Sequence, residues 1–386
     1  LKNTVKQGII AAKKIHVYIE GGLKMANRVY NFNPGPSTLP LCVLEEAQRD
    51  LLDFKGTGMS IMEISHRSKE YEEVNTETET LFKELLNAPS DYRLLFMASG
   101  ASAQFAFVPM NFLVPGTEAD YIVTGNFAEK AYEEAAKVGK VNIAASSKET
   151  NYDRIPKMEE IKLSKSPAYI HITSNNTIFG TQWQTLPEFK GVPLVADMSS
   201  DILARQFDAS KFDLIYAGAQ KNLAPSGVTV VLINPAMLEK VNKNLPAILQ
   251  YSTFAKNNSL YNTPPVFAVY IMNLVMKWIK NNGGLPAVEK RNRDKAALIY
   301  EAMDVSGGFY KGNAQKDSRS IMNITFNLPS EDLNKTFVSE AKKAGMVGLG
   351  GHRLVGGIRA SVYNAMPVEG CKALVDFMKD FQKRNG

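Results

Sequence analysis

Asp213-Leu214-Ile215-Tyr216-Ala217-Gly218-Ala219-Gln220-Lys221-Asn222 is an apolar run that passes into small residues and then presents one lysine. Upstream, Val192-Pro193-Leu194-Val195-Ala196-Asp197 is a second short apolar run, and it ends in a carboxylate. Both are of strand length, rich in β-branched or aromatic residues and bounded by Gly, Pro or Asp. They read as buried strands of a parallel sheet that deliver polar groups at their carboxyl ends. A lysine and an aspartate so placed can grip a pyridoxal ring at its two poles. The amine forms a Schiff base with the aldehyde, and the carboxylate keeps the ring nitrogen protonated so that the ring acts as an electron sink. Residue type alone does not decide this, because a lysine after a strand is commonly a solvated loop residue and an aspartate there a helix cap. The surroundings favour the cofactor: Ala217, Gly218 and Ala219 leave room for a flat ring against the backbone, and Pro225-Ser226-Gly227 turns the chain into a further strand, Val228 to Ile233.

Working outward, Tyr92 to Met97 is a strand followed by Ala98-Ser99-Gly100-Ala101-Ser102-Ala103-Gln104-Phe105 and a helical continuation. Strand, small-residue turn, helix is the geometry in which backbone N–H groups receive a phosphate, with Ser102 adding a hydroxyl. The glycines of a dinucleotide fingerprint and the lysine of a P-loop are missing, so this is a generic anion cradle or a tight packing turn. Tyr121 to Val123 is the next strand, with Gly125-Asn126-Phe127 after it and a helix from Ala128 to Val138. Phe127 sits where an aromatic can stack on a planar ring, although a lone aromatic is more often core. Tyr169 to Thr177 repeats strand then polar loop, with His171 mid-strand and read as structural. Strands alternating with helices predict a doubly wound, mostly parallel sheet whose ligands bind at the carboxyl edge.

Before that region, residues 1–24 are basic but lack the apolar core and cleavage site of a secretory signal, so they read as an upstream or appended extension with the natural start at Met25. Asn31-Phe32-Asn33-Pro34-Gly35-Pro36-Ser37 is a turn-rich entry, followed by helices over Pro40 to Leu52 and Lys69 to Leu86. Between them lies Ile64-Ser65-His66-Arg67-Ser68, where Arg67 suits either a surface salt bridge or, beside His66, a carboxylate or phosphate clamp. After it, Asn262-Thr263-Pro264-Pro265 opens an apolar helix to about Ile279, and a helix from Leu285 to Met303 leads to strands around Ser320 to Phe326 and a helix from Glu331 to Ala344. These last elements predict a small α+β domain. In it, Gly350 to Ser361, with His352, Arg353 and Arg359, reads as an anion grip rather than a core strand.

The composition is that of a soluble globular protein: 386 residues, about 45% apolar and 22% charged, with a formal charge of +6 spread along the chain. Scattered basic residues give no nucleic-acid stripe, and no run has the length of a membrane-spanning helix. Cys42 and Cys371 are the two cysteines. Positions 368, 371, 374, 375 and 378 share one helical face, which makes Cys371 a buried thiol. Two cysteines and four histidines without ligand spacing predict no metal site and suggest a reducing compartment.

With these residues assembled, the chain resembles the phosphoserine aminotransferase family, class V and fold-type I pyridoxal-phosphate enzymes. The segments that carry the resemblance are Ile64-Ser65-His66-Arg67, Tyr216 to Asn222, Asn262-Thr263-Pro264-Pro265, Gly351-His352-Arg353 and Arg359-Ala360-Ser361-Val362-Tyr363-Asn364-Ala365-Met366-Pro367, within a match from about Asn31 to the C-terminus. The resemblance implies an α/β fold with a large domain built on a mostly parallel sheet over residues 40–285, a smaller α+β domain over 286–386, and residues 25–39 as an N-terminal segment. It implies transamination between L-glutamate and 3-phosphohydroxypyruvate, giving O-phospho-L-serine and 2-oxoglutarate, with pyridoxal 5'-phosphate as cofactor, in a cytoplasmic homodimer. A second substrate, 4-phosphohydroxy-L-threonine, belongs to the same expectation.

By that likeness Lys221 carries the cofactor and shuttles the proton between the substrate α-carbon and the cofactor C4′ carbon. Asp197 pairs with the ring nitrogen, Phe127 stacks on the ring, Thr177 and Gln220 bond its polar edge, and Ala101 and Ser102 occupy the phosphate cradle. Asn262 and Thr263 reach the cofactor phosphate from the other subunit. Arg359 grips the α-carboxylate, and His66, Arg67, His352 and Arg353 the distal anion. Two departures bear on that anion: some members have an arginine where this chain has Ser102 and a serine where it has Pro34. Rival readings are a cysteine desulfurase, a serine–glyoxylate type aminotransferase and a cofactor-free binding protein on the same scaffold. Phe127 at the stacking position and Cys371 on a helix face speak against the first, and His352-Arg353 against the second.

Overall fold

The apolar runs of the central region form one seven-stranded sheet in the computed structural model, which describes residues 28–386. The expectations for residues 1–24 and for a start at Met25 lie outside the described residues. In chain order the strands are β1 (Arg93–Met97), β2 (Glu118–Val123), β3 (Lys140–Ser146), β4 (Ile170–Thr173), β5 (Leu194–Asp197), β6 (Leu214–Gly218) and β7 (Thr229–Ile233). Their order across the sheet is β1-β7-β6-β5-β4-β2-β3, with β7 antiparallel to both neighbours and the other pairs parallel. From β2 the chain moves to β3 on one side, and from β4 to β5 and β6 on the other. The resulting reversal opens a crevice at the carboxyl ends of β2 and β4, where an α/β sheet takes its ligands. Strands β4 to β7 are buried along their whole length, as the near-continuous apolar runs predict.

The helices follow local chemistry. Lys69–Leu86 starts where the Ser68 hydroxyl accepts from the Tyr71 N–H, carries Glu70 and Glu72 in its first turn, and ends at Asn87 in the left-handed region. Val266–Asn281 begins after Pro264-Pro265 and buries Ala268 to Met276 without a break. These two helices pack in the same direction, since Glu77 meets Asn273 and Lys277 while Glu84 meets Lys280. The helix after β2 spans Asn126–Ala136, two residues earlier than expected, so Phe127 lies in its first turn.

A second core lies in the C-terminal part. The strands Lys311–Gly312, Asn323–Asn327 and Ile358–Ser361 form an antiparallel sheet with Ile358–Ser361 at its edge. Phe337 packs edge-on against Phe326, Phe377 and Phe381 there. The C-terminal helix Val368–Asn385 turns Cys371, Leu374, Val375 and Met378 inward, and burial pushes the Cys371 thiol up to about 12. Gly284–Asp304 starts in the first core with Leu285 and Val288 and finishes in the second with Ile299 and Met303. One expectation is overturned: residues 350–361, read as an anion grip rather than a core strand, include a buried strand, Ile358–Ser361. The glycines before it concealed it from the pattern. The entry segment joins this part too, with Tyr30–Asn31 paired in parallel with Met346–Val347 and Phe32 buried in the second core.

Candidate active site

Asp197 is the last residue of β5, held between Thr173 of β4 and Tyr216 of β6. Its carboxylate is buried and accepts from the Ser199 N–H at 2.9 Å. Burial raises its pKa, against the opposing pull of Ser199 and of the Lys221 ammonium. Lys221 follows β6. Its Nζ donates to Thr177 Oγ1 at 2.7 Å and lies 5.6 Å from the centroid of the Phe127 ring. Burial pushes this amine down to about 8, helped by nearby Arg359 and resisted by Asp197 and Asp201. Lysine, acid, hydroxyl and ring therefore meet at the carboxyl ends of β2, β4, β5 and β6.

Two glycines allow that meeting. A Cβ on Gly125 would come within 2.6 Å of Asn176 Oδ1, so only a bare backbone lets the Phe127 turn lie against the Thr177 turn. A Cβ on Gly218 would crowd Gln220 Oε1 at 2.8 Å and the Ala101 side chain at 3.2 Å. Ala101 thus sits over the end of the lysine strand, at the start of the helical turn Ala101–Ala103 that leads into Gln104–Phe112. No side chain caps that turn at Gly100, and the Ser99 hydroxyl is buried without a partner. The entry segment closes the lysine loop from the other side: the Ser37 hydroxyl donates to the Lys221 carbonyl and its N–H to that of Gln220.

Arg359 lies on the buried edge strand, 7% exposed, with Nε unpartnered. Among the described residues no carboxylate offsets its burial, which pulls its pKa down; Tyr363 opposes the shift. His352 is half-buried and Arg353 exposed in the adjoining loop. Burial, with Arg359, Arg353 and Lys130 close by, holds the His352 imidazole below its ordinary value. His171, as expected, is structural: it stacks on Tyr121 and bonds the Tyr216 hydroxyl at 2.8 Å.

The structure does not bring the remaining expected residues to Lys221 within one chain. His66 and Arg67 precede the helix Lys69–Leu86, and Asn262 and Thr263 precede Val266–Asn281. Because those helices run side by side in the same direction, both turns lie at one end of the pair. His66 Nε2 and Asn262 Oδ1 are buried there without partners. Other participants were not anticipated. Lys130 Nζ stands 6.0 Å from the Phe127 ring, a position readable from its helical spacing to Phe127. Tyr363, within a quoted motif but given no role, is buried beside Thr177 and donates to the Pro34 carbonyl at 2.9 Å.

A buried acid held above its ordinary value is relieved by a cation placed against it, and a protonated ring nitrogen is such a cation. Across the site stands an amine ready to condense with an aldehyde, and beside it an uncapped helix terminus suited to a phosphate. The residues present therefore fit pyridoxal phosphate, which sets the class: a pyridoxal-phosphate-dependent transferase of fold type I. The sequence model of the aminotransferase class-V family matches residues 29–374. The phosphoserine aminotransferase of Herpetosiphon aurantiacus is 60% identical over 358 residues, 93% of this chain and 99% of that one. A solved phosphoserine aminotransferase from Bacillus circulans subsp. alkalophilus superposes with a TM-score of 0.92 at 54% identity, covering 94% of this chain and all of that one. A structure describing radiation damage of the Schiff base in phosphoserine aminotransferase gives a TM-score of 0.91 at 52% identity, over 92% of this chain and 99% of that one. The chain belongs to the class-V aminotransferase family and, within it, to the phosphoserine aminotransferases.

Proposed function

We propose that the chain transfers the amino group of L-glutamate to 3-phosphohydroxypyruvate, yielding O-phospho-L-serine and 2-oxoglutarate. The observation that carries this reading is the buried Arg359 guanidinium that has no acid of its own among the described residues, next to a loop bearing His352 and Arg353. A cation so placed awaits an anion from outside, and both substrates bring a carboxylate at one end and a second anionic group at the other. Arg359 takes the α-carboxylate, while His352 and Arg353 take the phosphate or the γ-carboxylate. Lys130 adds positive potential on the same side.

Bound pyridoxal phosphate supplies the electron sink that makes the substrate Cα–H acidic. Asp197 would hold the positive pole of the ring, Phe127 would cover its face, and Gln220 and the 101–102 turn would fix its edge and phosphate. Thr177 aims the Lys221 Nζ. With its pKa near 8, that amine is partly neutral at neutral pH and could take the Cα proton and pass it to the cofactor C4′ carbon. We propose a homodimer in which His66, Arg67, Asn262 and Thr263 complete the partner's site. Support comes from their gathering at one end of a helix pair with unpartnered buried atoms, and from exposed Leu52 and Met62 nearby in sequence, 85% and 60% accessible. The test is glutamate-dependent amination of 3-phosphohydroxypyruvate beside unphosphorylated hydroxypyruvate. A preference of about two decades or more in kcat/KM for the phosphorylated acid is expected, from one or two charge-assisted bonds. Equal use of both counts against the assignment.

A further inference from the structure

Lys295 is an unexpected group to find in a core. It lies midway along Gly284–Asp304, is 1% exposed, and among the described residues faces no carboxylate; the titratable groups beside it are the Cys371 thiol on the C-terminal helix and Arg291 on its own helix. Its ammonium donates to three backbone carbonyls, those of Val362 at 2.9 Å, Tyr363 at 2.7 Å and Met366 at 3.2 Å, which uses every proton it has. One turn earlier, Asn292 Nδ2 donates to Asn364 Oδ1 at 2.8 Å and to the Ala204 carbonyl at 2.9 Å. The helix that bridges the two cores thereby clasps one short loop, residues 362–366.

That loop connects two parts of the active site. Upstream it continues directly from the edge strand bearing Arg359, whose outer side is held by single backbone bonds, Arg359 N–H to the Leu349 carbonyl at 2.8 Å and Ser361 N–H to that of Phe32 at 3.3 Å, so the clasp on the loop adds to them at the carboxyl end. Downstream, the Asn364 N–H donates to Asn222 Oδ1 at 3.0 Å, and Asn222 is the residue after Lys221. Asn364 Nδ2 bonds the Leu203 carbonyl at 2.8 Å, and Tyr363 reaches Pro34. We propose that Lys295 is a positioning residue: by gathering the carbonyls of the 362–366 loop it sets where Arg359, and with it the substrate α-carboxylate, stands relative to Lys221. This rests on the reading of Arg359 as the carboxylate grip. Burial of an ammonium without a counterion is costly, so a side chain serving packing alone would be better apolar.

The test uses the holoenzyme and glutarate, a dicarboxylate with no amino group to react. Calorimetry gives its dissociation constant for the wild type, Lys295→Met, Asn364→Ala, Arg359→Leu and the Lys295→Met/Arg359→Leu double variant, while hydrogen exchange follows peptides covering 358–366. Lys295→Met keeps the length and removes the donors; Asn364→Ala keeps the ammonium and cuts the loop's side-chain bonds to Asn292 and Leu203. Either single change is expected to weaken glutarate about tenfold and speed exchange across 358–366. In the Arg359→Leu background, Lys295→Met should cost less than twofold more, because both act through one group. Should Lys295→Met not fold, Asn364→Ala is judged by the same affinity and exchange criteria. Wild-type glutarate affinity in the folded Lys295→Met and Asn364→Ala proteins overturns the proposal alone, as do penalties that simply multiply in the double variant. Unchanged affinity in Arg359→Leu overturns the carboxylate reading and this proposal with it.

Discussion

Replacing Arg359 by leucine should move affinity and stability in different directions. The guanidinium is nearly inaccessible, its Nε has no partner, and its pKa is depressed by burial with no carboxylate among the described residues to compensate. In the free protein it is therefore a desolvated charge, and an apolar side chain on the same edge strand relieves that cost. With substrate present, a fork of two charge-assisted hydrogen bonds to the α-carboxylate, each about 1.5 to 2 kcal/mol, disappears; the sum of about 3 to 4 kcal/mol corresponds to two to three decades in binding. Steady-state kinetics should show KM for L-glutamate and for 2-oxoglutarate rising together by that factor, and a thermal melt of the same preparation should show Tm unchanged or higher. A KM change under threefold for both, or a Tm drop of several degrees, would refute the reasoning, since the guanidinium would then be satisfied inside the protein.

The Lys221 amine, held near 8 by burial, should react with an aldehyde reagent in cofactor-free protein at a rate that climbs with pH and levels off above that value, because the neutral form is the nucleophile. Asp197→Asn removes a group that favours the charged form, so its midpoint should fall below the wild-type one; a wild-type midpoint near an ordinary lysine's would contradict the assigned environment. His352, held below its ordinary value by burial and neighbouring cations, gains its charge only as pH drops, so a dianion that stays ionised throughout, such as a disulfonate, should bind more tightly as pH falls below 7. That gain should vanish in His352→Asn, and its persistence would place the titrating group elsewhere. Gly125→Ala drives a Cβ into Asn176 and should lower stability by about 1 to 3 kcal/mol, read by urea denaturation. An unchanged midpoint would show that the Phe127 and Thr177 turns are not tightly matched.

Much of this was legible in the chain because the sheet announces itself through short buried runs, with β5 ending on Asp197 and β6 leading through small residues to Lys221. Helices with strong terminal signals were placed to within a few residues; Lys69–Leu86 matched fully. What escaped has a physical reason in each case. Ile358–Ser361 holds a charged residue directly after a glycine-rich loop, so neither alternation nor composition marks it as core. Lys130 looks like any lysine on an exposed helical face until Phe127 is seen beneath it. The Lys295 carbonyl cluster joins residues that are 67, 68 and 71 positions apart, and no local pattern encodes it.

The pairing of Tyr30–Asn31 with Met346–Val347, and the bond from Tyr363 to Pro34 across 329 positions, carry a consequence for how the molecule is made. On the ribosome the central sheet can assemble while the chain is still emerging, but the reaction centre stays open until almost the last codon has been read. Nascent chains halted before residue 346 should therefore hold a folded sheet with its lysine in place and yet fail to retain a dicarboxylate.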